Sequence, residues 1–505
     1  MKRYLIFLLV LALLSSCKKE PSSSDQEWML KTPLEMKDFT QLTSSQELTK
    51  YLKKACEQSN MITLETAGYS LEGKPIHLLK AGANGKMDEE KLTLYLFAQQ
   101  HGDEPSGKEG MLLLINNIVN GKYKKWFEHI NLLMIPQVNP DGGDLNQRRN
   151  ANDKDLNRDH LLISAPETQV VHKVFHSYLP EVTVDIHEYD PYSRYWKDFG
   201  YLKDFDIQVG TLTNKNVDKQ LKDLFYNATY PFLKEYVTKA GYSFFEYTLG
   251  DLPGGGRLRH STVDINDGRQ SFGILHSFSF IVEGKYGRDS LEKLENRAKS
   301  QLRTAEGIIQ FAVDHHKKVQ EKVKSARKKL LEAEQGEKVA IRMHHVKGDQ
   351  ILEYPLKSIH TGQDTVFLIE EFHSKVISIL DVTKPYGYLV PTDDSLLVEW
   401  MNRSYIEYTP FQPDGNLEIQ QYKILDISKQ LDEGLENYYP EVKLTAFDKK
   451  VSGSDYYFVP VSQLRSNKIV TALEPQSMIG LVNTSPFEYL LTEHSHFPVL
   501  RVLQR

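Results

Sequence analysis

The chain has 505 residues, 40% of them hydrophobic and 26% charged, and 62 Lys and Arg against 68 Asp and Glu give a formal net charge of −6. The length predicts two or three domains with ample chain for a core, and the near balance of charge argues against a nucleic-acid binder, which carries a basic surplus or stripe. Only two cysteines occur, Cys17 and Cys56, so the fold must rest on its core and not on a disulfide framework.

At the N-terminus, Lys2 and Arg3 precede an apolar run over residues 5–14, which gives way to Ser15, Ser16 and Cys17. This is the pattern of a secretory signal over residues 1–16, too short to span a bilayer permanently. Leu14-Ser15-Ser16-Cys17 also resembles the bacterial lipobox, whose cysteine becomes the lipidated first residue of the mature chain. The expected address is therefore export across the inner membrane and a lipid anchor at Cys17 in a bacterial envelope membrane. Residues 17–33 read as the tether, because the polar run 18–25 has no apolar periodicity.

The folded part is expected from Leu34. Leu48, Tyr51, Leu52 and Ala55 stand at helical spacing and predict a helix over 46–56. A turn at Glu72-Gly73-Lys74-Pro75 separates two alternating runs, 62–69 and 76–80, as in a hairpin. From Leu92, apolar strands at 92–98, 130–135 and 182–186 alternate with amphipathic helices at 105–119 and 166–178. Such alternation predicts an α/β domain over 34–335, a mixed sheet covered by helices on both faces. A helical stretch follows over 290–333. Its first half carries Leu291, Leu294, Ala298, Leu302, Ala305, Ile308, Ile309 and Ala312 toward the sheet. Its lysine-rich second half reads as a solvated face, with His315 and His316 at the surface. After Gly336, short β-like runs at 339–343, 365–372, 375–380, 396–400 and 456–461 predict a separate β-rich accessory region over 336–505, a sandwich or two small β subdomains. His344, His345, His494 and His496 have no companion ligands in their neighbourhood and read as structural.

The chemistry gathers at strand ends, where open α/β sheets place their sites. Strand 92–98 runs into His101-Gly102-Asp103-Glu104. Imidazole and carboxylate are both good zinc ligands, and a tight turn lets His101 and Glu104 converge on one ion; Pro105 suits the first turn of the following helix. Strand 182–186 delivers a third candidate ligand, His187. Residues 279–284 form another apolar run, which reaches Glu283, and a charge at the end of a buried strand is costly unless it has a use. Two histidines and a glutamate on zinc leave a fourth position for water, whose proton a further carboxylate can take. The segment 148–159 is dense in side-chain donors and suits an oxyanion or carboxylate site; taken alone, a solvated polar loop is the simpler reading.

His101-Gly102-Asp103-Glu104, Asn139-Pro140-Asp141-Gly142, Asp155-Leu156-Asn157-Arg158, Asp185-Ile186-His187 and Val282-Glu283 resemble, in the same order, the motifs of the zinc carboxypeptidase family, relatives of carboxypeptidases A and B. The resemblance implies an α/β/α catalytic domain with one zinc ion held by His101, Glu104 and His187, and Glu283 as general base and acid. It implies Arg149, or the adjacent Arg148, as the arginine that polarises the scissile carbonyl. Asn157 and Arg158 match the pair that grips the substrate's terminal carboxylate, and Asp155 the carboxylate that orients a zinc histidine. The chain departs from the family where Asn-Arg-Asn-Phe is replaced by Asn157-Arg158-Asp159-His160, and where Glu188 directly follows the third ligand. For the family's mobile tyrosine the choice is Tyr247, ahead of the glycine-rich run 250–256, and 257–269 has the polarity of a substrate-facing loop. The implied activity is removal of the C-terminal residue from peptides with a free carboxylate, cell-wall peptides included. The alternatives are a zinc deacylase of small N-acyl amino acids and a non-catalytic surface binding lipoprotein. Neither Gly-x-Ser-x-Gly nor His-Glu-x-x-His occurs, which removes the serine-hydrolase and thermolysin-like rivals.

Overall fold

The computed structural model describes residues 30–192, 194–250, 257–333, 336–413, 417–432, 435–448 and 451–503. The signal, the lipobox at Cys17 and most of the tether lie outside the described residues, as does 251–256.

The helix Ser45–Gln58 opens with a reciprocal cap between Ser44 and Glu47 and buries Leu48, Tyr51, Leu52 and Ala55, the four apolar positions of its periodicity. Strands β1 (Ile62–Tyr69) and β2 (Pro75–Ala81) form the expected antiparallel hairpin. They begin an eight-stranded mixed sheet with β3 (Leu92–Ala98), β4 (Ile130–Ile135), β5 (Val182–Tyr189), β7 (Ile207–Gly210), β8 (Phe244–Glu246) and β9 (Phe278–Lys285); the short β6 (Tyr201–Leu202) lies elsewhere. The order is β1-β2-β4-β3-β5-β9-β7-β8, with β4, β3, β5 and β9 mutually parallel.

Every residue of β3 and β4 is buried, as central parallel strands require. Leu94, Leu96 and Ala98 pack with Met111, Ile115 and Ile308 on one face. Tyr95 and Phe97 pack with Val171, Phe175 and Phe272 on the other. The covering helices are Ser106–Val119 and Leu294–Asp314 on the first face and Pro166–Tyr178 on the second. From β3 the chain goes to β4 on one side and returns to β5 on the other. The order therefore reverses at β3, and ligands of open α/β sheets bind beyond the strand ends at such a switch.

The C-terminal third adds β10 (Lys338–Val346) paired with β13 (Lys375–Thr383), and β11 (Leu352–Ser358) flanked by β12 (Asp364–Ile369) and β6. A six-stranded sheet follows, made of β14 (Gly387–Pro391), β15 (Thr409–Pro410), β16 (Ile419–Asp432), β17 (Leu435–Ala446), β18 (Tyr456–Pro460) and β19 (Leu500–Val502). The β-rich character is as expected, and several details of the chain differ from the expectation. Residues 396–400 are not a strand but part of the helix Ser395–Arg403. The Asp394 carboxylate accepts from Leu397 N, and Leu397, Trp400 and Met401 are buried.

The stretch 290–333 is two helices, Leu294–Asp314 and His316–Glu332, broken at His315 with φ −122°. The second helix is not wholly solvated, since Val319, Val323, Ala326 and Leu330 are buried and its lysines take the opposite side. His315 and His316 are half-buried, stacked on Phe311 and His129. Finally, 336–505 shares its core with the α/β part: one apolar cluster joins Val171 and Phe175 to Ile341, Trp400 and Ile469. Trp400 Nε1 donates to Leu161 O across the junction at 3.0 Å.

Candidate metal centre

Beyond β3 the chain turns through Gln99 in the left-handed region, φ 55°, and enters the His101 loop. Asn139 fixes that loop from the neighbouring strand end. Its backbone N–H donates to Gln99 O at 3.1 Å and its Nδ2 to Gln100 O at 3.1 Å, while its Oδ1 caps the helix Pro140–Leu145 at Gly142 N. Gly102 has no room for a side chain, because a Cβ there would meet the Gly142 carbonyl carbon at 2.1 Å. Asp141 is buried and accepts from Ser70 Oγ and Glu72 N. The Asn-Pro-Asp-Gly run is thus a clamp that holds the site loop.

His101, Glu104 and His187 come together in the buried interior. His101 Nδ1 lies 2.8 Å from Glu104 Oε1, His187 Nδ1 lies 2.9 Å from Glu104 Oε2, and the two Nδ1 atoms are 3.2 Å apart. Each Nε2 is turned away onto its own carboxylate: His101 Nε2 to Asp155 Oδ1 at 3.0 Å, His187 Nε2 to Asp185 Oδ1 at 2.8 Å. With both Nε2 atoms engaged, both Nδ1 atoms and the Glu104 carboxylate face one point. Their ligand atoms fall within 4.8 Å of one another, the one such group of three among the described residues. Two imidazole nitrogens and a carboxylate, each imidazole backed by a carboxylate, fit zinc with an open fourth position.

Glu283 stands opposite His187 in the β5–β9 register. Burial raises its carboxyl, Glu104 adds to the effect and the imidazoles oppose it, with a net value of about 7. Burial alone would also raise Glu104, yet the charges on His101 and His187 hold it well below the usual carboxylate range. A cavity of about 210 Å³ opens over these groups and is lined by Arg148, Asn157, Arg158, Tyr247, Thr262 and Ile281.

The arginine at the site is Arg148, not Arg149. Arg148 Nη1 lies 3.2 Å from Glu104 Oε1 and its Nη2 lies 3.1 Å from Asp155 Oδ2. Arg149 instead bonds Asp153 O and Oδ2, both at 3.1 Å, and its side chain is 52% exposed. The backbone of Arg148 is also tied to the His101 loop, since Arg148 O accepts from Gly102 N at 3.1 Å. Asn157 is buried, with Nδ2 3.2 Å from His187 Nε2 and Oδ1 accepting from Gly268 N. Arg158 is exposed at the cavity wall and donates to Asn157 O. Tyr247 lines the same cavity, its hydroxyl pushed up first by burial and then by Glu283.

Asp185 and Glu188 were named in the sequence but given no role there. Asp185, the partner of His187, was legible in principle, since residues two apart on a strand share a face. The partners of Glu188 were not. Its buried carboxylate accepts from Ser106 N at 2.8 Å and pairs with Arg297 at 2.8 Å, a residue more than a hundred positions away.

Residues 48–201, which hold the ligands, Arg148, Asp155, Asn157 and Arg158, match the family model described as zinc carboxypeptidase. The matches support a metallocarboxypeptidase. Carboxypeptidase 2 of Trichophyton rubrum is 24% identical over 456 residues, covering 86% of this chain and 82% of that protein. Carboxypeptidase SOL1 of Arabidopsis thaliana is 33% identical over 146 residues, 25% of this chain and 29% of that one. Among solved structures, a metallo-carboxypeptidase from Burkholderia cenocepacia aligns over 55% of this chain and 71% of its own, with 18% identity and a TM-score of 0.42.

Proposed function

We propose that this metallocarboxypeptidase holds one zinc ion on His101, Glu104 and His187 and removes the C-terminal residue from peptides bearing a free carboxylate, cell-wall peptides included. The observation that carries the reading is the convergence of two carboxylate-backed histidines and a glutamate beside Glu283, in a cavity that also exposes Arg148 and Arg158.

Zinc in that position would supply a Lewis acid that polarises a carbonyl and acidifies water. Glu283 accepts the proton of the attacking water and returns it to the leaving amine, a task suited to a carboxylate whose pKa lies near neutrality. Arg148 lies where its guanidinium can face the carbonyl oxygen as that oxygen gains charge. Asp155 and Asp185 fix the two imidazoles by accepting hydrogen bonds from their Nε2–H groups. Arg158, with Asn157 behind it, pairs with the terminal carboxylate and so registers the last peptide bond over the site.

The lipobox resemblance supports a further part of the proposal, that the mature chain is anchored by lipid at Cys17 in a bacterial envelope membrane. No helix of the described residues is long and apolar enough to cross a membrane. Cys17→Ser would then release the protein from the membrane fraction; a variant that still partitions with membranes contradicts the anchor. The enzymatic reading is tested by incubating the zinc-loaded protein with peptides and following the products by mass spectrometry. Loss of one residue at a time from the C-terminus, stopped by a chelator and restored by zinc, is the expected result. Internal cleavage, or no metal-dependent cleavage, contradicts it.

A further inference from the structure

His160 stands where the chain departs from the Asn-Arg-Asn-Phe pattern, and the structure gives it neighbours that a phenylalanine could not serve. Its Nε2 lies 2.7 Å from Gln100 Oε1 and its Nδ1 lies 3.0 Å from His172 Nε2. Gln100 Nε2 in turn lies 2.8 Å from Asp185 Oδ1, the atom that accepts from His187 Nε2. All five side chains are buried. His172, His160, Gln100, Asp185 and His187 therefore form one unbroken line to the candidate metal centre.

The polarity of that line is fixed from its end. An ionised carboxylate only accepts, and the one oxygen Asp185 Oδ1 lies 2.8 Å from both His187 Nε2 and the Gln100 amide. Gln100 must then present its NH₂ to Asp185 and its carbonyl to His160, so His160 Nε2 carries a hydrogen. Burial depresses His160 to about 4 and holds His172 well below its usual value. Both rings are accordingly neutral and carry one hydrogen each. His160 Nδ1 is bare and accepts from His172 Nε2–H. Reversing any link would set two acceptors or two donors against each other.

We propose that His172, His160 and Gln100 are positioning residues: a hydrogen-bond relay of single polarity that keeps the Gln100 amide oriented toward Asp185 and, through Asp185, keeps His187 Nδ1 aimed at the metal. Asp185 has particular need of such support, because its Oδ2 is buried without a partner and everything that holds the group acts on Oδ1. A flipped Gln100 would bring an amide oxygen against the carboxylate and drive it off His187. Packing keeps the relay in line: Phe272 lies against both rings, 6.0 Å from His160 and 4.9 Å from His172, and itself stacks on Phe175 at 4.2 Å. The far end meets the C-terminal third, where the charges of Lys468 and Arg465 add to the depression of His172.

The relay rests on the metal-site reading, and its test separates the two. Zinc dissociation constants of the full mature chain are measured by competition with a chromophoric chelator for wild type, His160→Phe and His160→Gln. Loss of an outer hydrogen-bond partner weakens zinc by about 10-fold or more, so His160→Phe should do so while keeping the wild-type circular dichroism. His160→Gln, which can donate to Gln100 and accept from His172, should recover most of the loss. Wild-type affinity in folded His160→Phe, or no recovery in His160→Gln, overturns the relay. A second measurement needs neither variant nor zinc: imidazole ¹⁵N spectra of the metal-free protein should show hydrogen on Nε2 and a bare Nδ1 in both His160 and His172. Hydrogen on Nδ1 of either ring overturns it. Failure of wild type to bind zinc would contradict the metal site and leave the tautomers to decide the relay.

Discussion

Arg148 and Arg149 differ by one position and share no partner. Arg148 is held between Glu104 and Asp155, whereas Arg149 serves only Asp153. Arg148→Ala should therefore lower kcat/KM on a peptide substrate by about 10²-fold or more, as loss of a donor facing a developing oxyanion does. Arg149→Ala should stay within about twofold, as surface substitutions do. Steady-state kinetics on the two variants decides. Two adjacent arginines have the same chemistry, so the sequence reading left both open; the contacts of Arg148 with Glu104 and Asp155 choose between them. His101, Glu104, His187 and Glu283 were legible because each follows or ends an apolar run, where an ionisable group needs a reason.

Glu283→Gln should keep bound zinc and lose activity by about 10²–10⁴-fold. The pH dependence follows with a definite sign. The base must be ionised, burial raises it from 4.5 to about 7, and a bound cation pulls it back down. Wild-type kcat/KM should therefore rise with pH along an acid limb between those values, and that limb should be absent from the residual activity of Glu283→Gln.

At the scale of elements, the end of β5 is fixed by groups from three parts of the chain. Glu188 N donates to Glu104 Oε2, the Glu188 carboxylate receives Ser106 N at the start of the helix Ser106–Val119, and Arg297 closes the pair from Leu294–Asp314. Arg297→Leu strands a buried carboxylate and should cost about 3–5 kcal/mol in denaturant unfolding; adding Glu188→Leu should return much of it, because a buried ion pair is not much better than an apolar one. The same scale marks where sequence reading failed. The run 396–400 is five residues long, and periodicity does not separate a short buried helix from a strand. The deciding contacts, Asp394 on Leu397 N and Trp400 on Leu161 O, are a cap readable in hindsight and a tertiary bond that is not.

For the whole molecule, the composition change at Gly336 was visible in the sequence but did not mark the edge of a core. The apolar cluster runs through it, because the second face of the main sheet needs cover that the helix Pro166–Tyr178 does not complete. Lys468 makes this junction measurable. It is buried at the interface, and burial, with Arg465 adding to it, depresses its ammonium from 10.5 to about 7. Between those values the unfolded chain holds a proton that the folded chain has released, so this group makes stability rise with pH across that window. Lys468→Met should remove that rise and increase Tm at pH 7 by about 2 °C or more. Thermal unfolding at pH 6, 7, 8 and 9 checks both.

The central claim is that the cavity reads a terminal carboxylate and cleaves the bond before it. The measurement that meets it most directly compares one peptide as its free C-terminal acid and as its amide, with the zinc-loaded wild type and with Arg158→Ala. The account predicts strong preference of the wild type for the acid, and loss of most of that preference in Arg158→Ala because the terminal charge loses its partner. Equal cleavage of acid and amide by the wild type would contradict it.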